Sequence, residues 1–270
     1  MAFDPATIRD FEHRGWQRAA AQYRATFAPA SAGFVAALLD AAGIGAGTRV
    51  LDLACGPGIA AAAAAARGAV VRGADFSPAM LELARAALPD AGFDEAEAES
   101  LPYADASFDA VVCNFGAHHF PYPERALAEV RRVLRPGGRV ALTAWVAPAE
   151  NAAWRLLFDA VAAHGDPHAA AAPPSGGGLT SAAAVRRLLE GAGFAAVAVS
   201  REVREWRVAG AAALVEALRR GTVRTAAVIE AQRPAVLPAI VAAIERAAAP
   251  FRRGGELVLP TAALLGHAVK

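Results

Sequence analysis

The sequence predicts an α/β fold with a doubly wound, mostly parallel sheet, and three observations predict it. Short apolar runs alternate with amphipathic helical stretches from about residue 48 onward. Gly56-Pro57-Gly58 joins the first such run to an alanine-rich stretch. A hydrophobic content of 56% in 270 residues is enough apolar material for one large α/β core with a modest cap.

Arg49 to Ala54 reads as a buried first strand, and the Gly-rich turn leads it into a helix ending at Arg67-Gly68. Ala69 to Ala74 is the second strand, ending at Asp75. Ser77 caps the next helix with Pro78 at its first position, and Leu81, Ala84 and Leu88 form its apolar face. A weak third strand lies near Phe93 to Glu97, and Phe108 to Cys113 is a fourth, buried one. Leu127, Val130 and Leu134 share a face of a helix from Glu124 to Leu134, which Arg135-Pro136-Gly137-Gly138 stops before a fifth strand, Arg139 to Trp145. Beyond it come a helix near Trp154 to Ala163 and a flexible stretch from Ala172 to Gly178. A helix with Val185, Leu188 and Leu189 on one face then closes at Gly191 and Gly193, before a strand starting at Phe194. From about Gly210 to Pro250 the pattern is helical, with Pro234, Pro238 and Pro250 blurring its internal boundaries. Leu259 to Val269 suits a last strand.

Lysine and arginine number 27 against 26 acidic residues, so no broad field draws the chain to nucleic acid or anionic lipid. A small or neutral partner is expected. Lys270 is the only lysine, which removes lysine catalysts. Two cysteines, Cys55 and Cys113, suit a reducing cytoplasm better than a disulfide scaffold. The first residues lack the basic and apolar regions of a signal peptide, and the alanine run 60–66 is too short to span a bilayer. A cytoplasmic protein without a membrane partner is the expectation.

Gly56 and Gly58 let backbone approach a ligand closely, although many α/β proteins use such a turn for packing alone. Asp75 ends the second strand, where a carboxylate accepts hydrogen bonds from both hydroxyls of a ribose or else caps the Ser77 helix. Asn114-Phe115-Gly116-Ala117-His118-His119-Phe120 follows the fourth strand. His119 there is either a proton acceptor or a packed structural residue. Phe11, Trp16, Tyr23 and Phe27 form an aromatic series, the last three on one helical face, that serves either core packing or a lid. Between residues 201 and 253 lie ten arginines against five glutamates, read as solvated helix faces.

Four segments taken together resemble the successive motifs of class I S-adenosylmethionine-dependent methyltransferases. They are Val50-Leu51-Asp52-Leu53-Ala54-Cys55-Gly56-Pro57-Gly58, Gly73-Ala74-Asp75-Phe76-Ser77-Pro78-Ala79-Met80-Leu81, the run from Glu97 to Asp109, and Arg132-Val133-Leu134-Arg135-Pro136-Gly137-Gly138. The branch most resembled contains the ubiquinone and menaquinone biosynthesis methyltransferases, and the match spans about residues 35 to 145. It implies a Rossmann-like sheet of seven strands, the last antiparallel, with a helical cap. The implied organisation is an N-terminal helical lid (1–34), a cofactor-binding core (35–205), a helical cap insertion (206–256) and the last strand (257–270). The implied cofactor is S-adenosylmethionine, with S-adenosylhomocysteine as product and no metal.

By position, the resemblance implies that Asp52, Ala54, Cys55, Gly56 and Gly58 surround the methionine half. Asp75 then holds the ribose, Phe76 and Met80 lie against the nucleoside, and Glu97 and Ala98 meet the adenine, with Tyr23 and Asn114 completing the contacts. Trp16, His118 and Trp145 are candidate acceptor contacts and His119 the candidate base. Two departures from the family pattern are Ala54, where glycine is commonest, and Glu97, where aspartate is usual. The expected partner is a small-molecule methyl acceptor, and the expected state a monomer or homodimer.

Two other readings compete. Gly56-x-Gly58-x-x-Ala61 also fits a dinucleotide fingerprint, which would make an NAD(P)-dependent oxidoreductase. A binding protein that keeps the pocket without turnover is the other. A nucleic-acid methyltransferase is disfavoured by the lack of an Asn-Pro-Pro-aromatic segment and of basic excess.

Overall fold

A computed structural model describes residues 4–170, 172–173 and 178–270. Five parallel strands follow from the buried apolar runs: β1 (Arg49–Leu53), β2 (Val70–Asp75), β3 (Gly92–Glu95), β4 (Phe108–Asn114) and β5 (Leu134–Trp145). β6 (Ala195–Val208) and β8 (Glu256–Val269) complete the sheet in the order β3-β2-β1-β4-β5-β8-β6, with β8 antiparallel to both its neighbours. Strand order reverses between β1 and β4. Loops leaving β1 and β4 therefore diverge to opposite faces, and a crevice opens at their carboxyl tips.

Helices cover both faces, which is why Val50 to Leu53 of β1 are all buried. On one face lie α3 (Val35–Ala41), α4 (Ile59–Ala66) and α5 (Pro78–Ala87), with Leu38, Leu39, Ala64 and Leu81 pointing inward. On the other lie α6 (Pro123–Val133) and α8 (Ala182–Gly191), with Leu127, Val130, Val185 and Leu189. α5 starts where its cap predicts: Ser77 Oγ accepts from Met80 N and Pro78 takes the first helical position. Asp109, at the start of β4, accepts the Arg49 backbone N–H and both the Arg49 and Arg135 guanidiniums. Hydrogen bonds from Arg49 are the main reason its carboxyl sits well below the usual range.

Two details differ from the sequence expectation. The sheet has an eighth strand, the short β7 (Arg252–Arg253), which folds back on β8 through Gly254-Gly255, with Gly254 at φ +59. β5 begins at Leu134 rather than Arg139. Leu134 pairs with Phe108, and residues 135–138 bulge outward with Gly137 at φ +75 before Arg139 pairs with Ala110. Of the stretch expected to be flexible, residues 174–177 lie outside the described residues.

β6 and β8 are each 14 residues long, and their pairing runs on past Trp145, the tip of β5, as far as Val208 and Leu257. This extension stands over the carboxyl edge and carries α7 (Ala152–His164), α9 (Ala211–Gly221), α10 (Arg224–Glu230) and α11 (Leu237–Ala247) around a second core. Trp206 is fully buried at its centre with Leu157, Leu214 and Ile244. Each such aliphatic side chain contributes roughly 1.5–3 kcal/mol by leaving water.

The N-terminal helix α1 (Pro5–Thr26) closes the crevice from the opposite side, followed by the short α2 (Ala28–Ala32). Its approach is close because glycines stand at the contact points. A Cβ on Gly15 would lie 2.3 Å from Val223 Cγ1, and one on Gly221 would lie 2.3 Å from Phe27 Cβ. Among the described residues no single helix is long and apolar enough to cross a membrane.

Candidate active site

The loop after β1 turns sharply. Ala54 (φ +53), Gly56 (φ +52) and Gly58 (φ +78) all take the left-handed region. That region disfavours a Cβ, which gives glycine a physical advantage at position 54. Room for the Ala54 methyl comes from Gly116 on the β4 loop, since a Cβ there would sit 2.5 Å from Ala54 Cβ. Gly58 is not among the residues lining the cavity and caps α4. A side chain there would press on Ala84 of α5, 3.2 Å away.

Two buried carboxylates fasten this loop. Asp52 Oδ2 accepts from Ala61 N at 2.8 Å, while its Oδ1 is buried without a hydrogen-bond partner among the described residues. Asp75, 6% exposed, accepts from Gly56 N at 2.8 Å and Ser77 N at 2.9 Å, tying the tip of β1 to the tip of β2. Burial outweighs these bonds and raises Asp52 to about 7 and Asp75 to about 6. α1 reaches this end too. Gln17 Oε1 accepts from Ser77 Oγ and Ala79 N, and Arg9 pairs with Glu97.

At the tip of β4, Asn114 Oδ1 accepts from Thr143 Oγ1 at 2.8 Å, and its amide reaches Ser31 O. Phe115 (φ +60) lies flat on Trp145, ring centroids 3.8 Å apart. The turn Ala117–His119 then presents both histidines. His119 Nδ1 lies 2.9 Å from Oε2 of Glu12 on α1, and Trp16 packs edge-on against its ring at 5.1 Å. Glu12 Oε1 lies 2.6 Å from Arg224 Nε, close but not aligned as a hydrogen bond, and Arg224 Nη1 donates to Pro173 O. Glu12 is 0% exposed, and burial pushes its carboxyl up, but His119 and Arg224 together bring it below the ordinary value. His118 is held neutral by burial, well below the usual imidazole range, and its Nδ1 has no hydrogen-bond partner.

These groups line one cavity of about 450 Å³, a size suited to a nucleoside-sized ligand with a second molecule beside it. One end lies over β1 and β2, with Asp52, Ala54, Cys55, Gly56, Asp75, Phe76, Met80, Glu97 and Ala98 at its wall. At the other, Trp16, Tyr23, Trp145, His118 and His119 face Trp154, Phe158 and Arg224, and Asn114 lies between the two. All the candidate residues except Gly58 therefore meet at this cavity. Among the described residues no group of His, Cys, Asp or Glu has the arrangement of a metal site.

Sequence reasoning missed Glu12 and Arg224. Glu12 carries a legible signal: it falls on the stripe Ile8, Glu12, Gly15, Ala19, which the helix buries. Arg224 was counted among the solvated arginines, and for it that reading is wrong. Its side chain is only 23% exposed and turns inward to Glu12, because the close contact at Gly15 brings the two helices together. Arg219 and Arg220, by contrast, pair with Glu216 along the outer side of α9, as a charged helix face does.

Comparison with known proteins agrees with this geometry. A family signature described as a methyltransferase domain matches residues 51–142, the segment from β1 to β5. This chain carries a methyltransferase domain. Among curated relatives, the demethylmenaquinone methyltransferase of Clavibacter sepedonicus is 46% identical over 106 residues, covering 38% of this chain and 43% of that protein. The enzyme of the same name from Deinococcus radiodurans is 40% identical over 157 residues, covering 55% of this chain and 58% of the relative. The chain thus spans about half the length of the curated relatives it matches. The YcgJ protein of Bacillus subtilis superposes with a TM-score of 0.58 at 21% identity, over 87% of this chain and 97% of its own, which shows the fold. The matched signature agrees with the methyltransferase motifs read from the sequence, and the dinucleotide reading of the Gly-rich turn is not favoured.

Proposed function

We propose that this protein methylates a small, apolar, ring-bearing molecule with S-adenosylmethionine as methyl donor, by direct in-line displacement. The observation that carries the reading is the single cavity joining the tips of β1, β2 and β4. At one end it has buried carboxylates and at the other an aromatic wall. The residues suit the donor on their own terms. Asp52 Oδ1 is a buried acceptor lacking a partner, as an ammonium group requires, and Asp75 still has lone pairs to offer a sugar. Phe76 and Met80 offer apolar surface to a purine, with Glu97 and Ala98 at its edge.

The donor supplies an already activated methyl group, so the protein's task is to orient two molecules and exclude water. Phe115 stacked on Trp145, with Trp154 and Trp16, provides a flat apolar bed for the acceptor. His119 stands at its edge to take the proton the acceptor loses. The name shared by the curated relatives, demethylmenaquinone methyltransferase, supports a ring-bearing acceptor. We read the cap helices with α1 as the walls that choose it, and we expect neither nucleic acid nor a membrane as partner.

The test is to incubate the protein with S-adenosylmethionine and fractionated small-molecule extracts, and to follow S-adenosylhomocysteine by mass spectrometry. Product formation with at least one fraction is expected. Tight donor binding with no product from any fraction would instead identify a binding protein without turnover.

A further inference from the structure

Glu12 is a fully buried carboxylate held between two nitrogen groups that arrive from distant parts of the chain. His119 comes from the tip of β4 and Arg224 from the start of α10. Glu12 lies mid-helix, away from both caps of α1, where an apolar residue on this stripe would pack without desolvating a charge. We propose that Glu12 is the positioning residue of the methyl-transfer site: it grips His119 through Nδ1, leaving Nε2 to take the acceptor's proton, while Arg224 neutralises it. The inference rests on the methyltransferase reading of the same cavity.

The two partners of Glu12 have different tasks. A lone carboxylate beside an imidazole favours the imidazolium, which cannot accept a proton. Arg224 is permanently charged and stands 2.6 Å from the other carboxylate oxygen. Its charge offsets that of Glu12, so the ring is oriented without being forced to protonate. The overall charge also balances during the reaction. As the acceptor's lone pair bonds to the methyl carbon, the sulfonium sulfur keeps the electrons of the broken C–S bond and becomes neutral. The acceptor's proton passes to His119, so one positive charge disappears and another appears a short distance away. The buried site keeps its net charge, which limits the cost of the step in a low dielectric. Because Glu12 belongs to α1, the base is complete only when that helix is seated. The groups acting on His119 are Glu12 and Trp16 of α1, Arg224 of α10, its neighbour His118, and Asp75 of β2.

Nitrogen NMR of the histidine rings in the full-length protein, with and without S-adenosylhomocysteine, tests this. Four samples are compared: wild type, Glu12→Gln, Glu12→Asp and Arg224→Gln. The hydrogen bond between His119 Nδ1 and residue 12 is expected to persist in Arg224→Gln and to weaken in Glu12→Gln, read from the Nδ1 proton resonance. Neutral His119 in the wild type is expected to carry its proton on Nδ1, a preference that Glu12→Gln loses and Glu12→Asp restores in part. Ring-nitrogen resonances of His119 that are the same in wild type and Glu12→Gln would show that Glu12 does not hold the ring. That result, or a wild-type ring protonated on Nε2, overturns the proposal. Should Glu12→Gln fail to fold, Glu12→Asp and the wild-type tautomer decide it alone. S-adenosylhomocysteine binding on the same samples separates the two ideas: wild type that fails to bind it defeats the methyltransferase reading, whatever His119 does.

Discussion

At the end of the cavity over β1 and β2, the loop is fixed by backbone N–H groups donating to Asp52 and Asp75, all within residues 52–80. At the far end, the polar groups are side chains brought together from α1, the β4 tip and α10, more than 100 residues apart. The first arrangement joins the tips of two paired strands. The second exists only if α1 and α10 dock correctly at the β4 tip. Local fastening at the first end and dependence on docking at the second suit the proposed function, in which one end holds a constant donor and the other a particular acceptor.

The sharpest way to break the comparison is to disturb docking alone. Gly221→Leu drives a side chain into Phe27 and is expected to destabilise the protein by about 3 kcal/mol, the upper part of the range for overpacking. Hydrogen exchange should show α1 released while β1, β2 and β4 stay protected. Uniform loss of protection would mean that the two ends fold as one unit.

A pH series separates the ends electrostatically. The folded-state value of Asp52, about 7, lies above its unfolded value of about 4, so the folded protein binds the extra proton. The stability this contributes is complete below about pH 4 and lost as pH rises through 7. Asp52→Asn removes the charge and is expected to gain on wild type by on the order of 4 kcal/mol between pH 4 and 8, read from unfolding curves. Parallel curves would refute the buried charge.

Asp75→Ala is expected to weaken S-adenosylmethionine binding by about 1–3 kcal/mol, through lost bonds to the ribose and to the Gly56 N–H. Glu12→Gln, at the other end, should change that affinity by less than about 0.5 kcal/mol, the range for sites that do not share partners. Calorimetry on both variants sharpens the division, and equal losses would erase it. The smallest effect is expected from Ala54→Gly. It relieves a left-handed alanine at the cost of chain entropy, and should shift stability by about 1 kcal/mol or less in either direction.

The same contrast explains how much could be read in advance. β1, β2, β4 and the cap of α5 were legible because each rests on a local signal: a buried apolar run, a Gly-rich turn, Ser77 before Pro78. The aromatic face of Trp16 and Tyr23 was legible as periodicity, and the structure puts it at the cavity wall. Arg224 was not legible, because a charge looks the same in sequence whether it faces solvent or a buried acid. The packing of Gly58 on Ala84 is not legible for a related reason, since a turn glycine serves close packing and close ligand approach equally well. The early start of β5 depended on Leu134 pairing with Phe108, a contact that no local pattern announces.

The central claim is that one nucleoside sulfonium lies across the tips of β1, β2 and β4. A crystal structure with S-adenosylhomocysteine at saturating concentration tests it most directly. The account predicts the sugar against Asp75, the purine beside Phe76 and the sulfur turned toward the end of the cavity that holds His119. Density for the ligand elsewhere, or an empty cavity at that concentration, would contradict it.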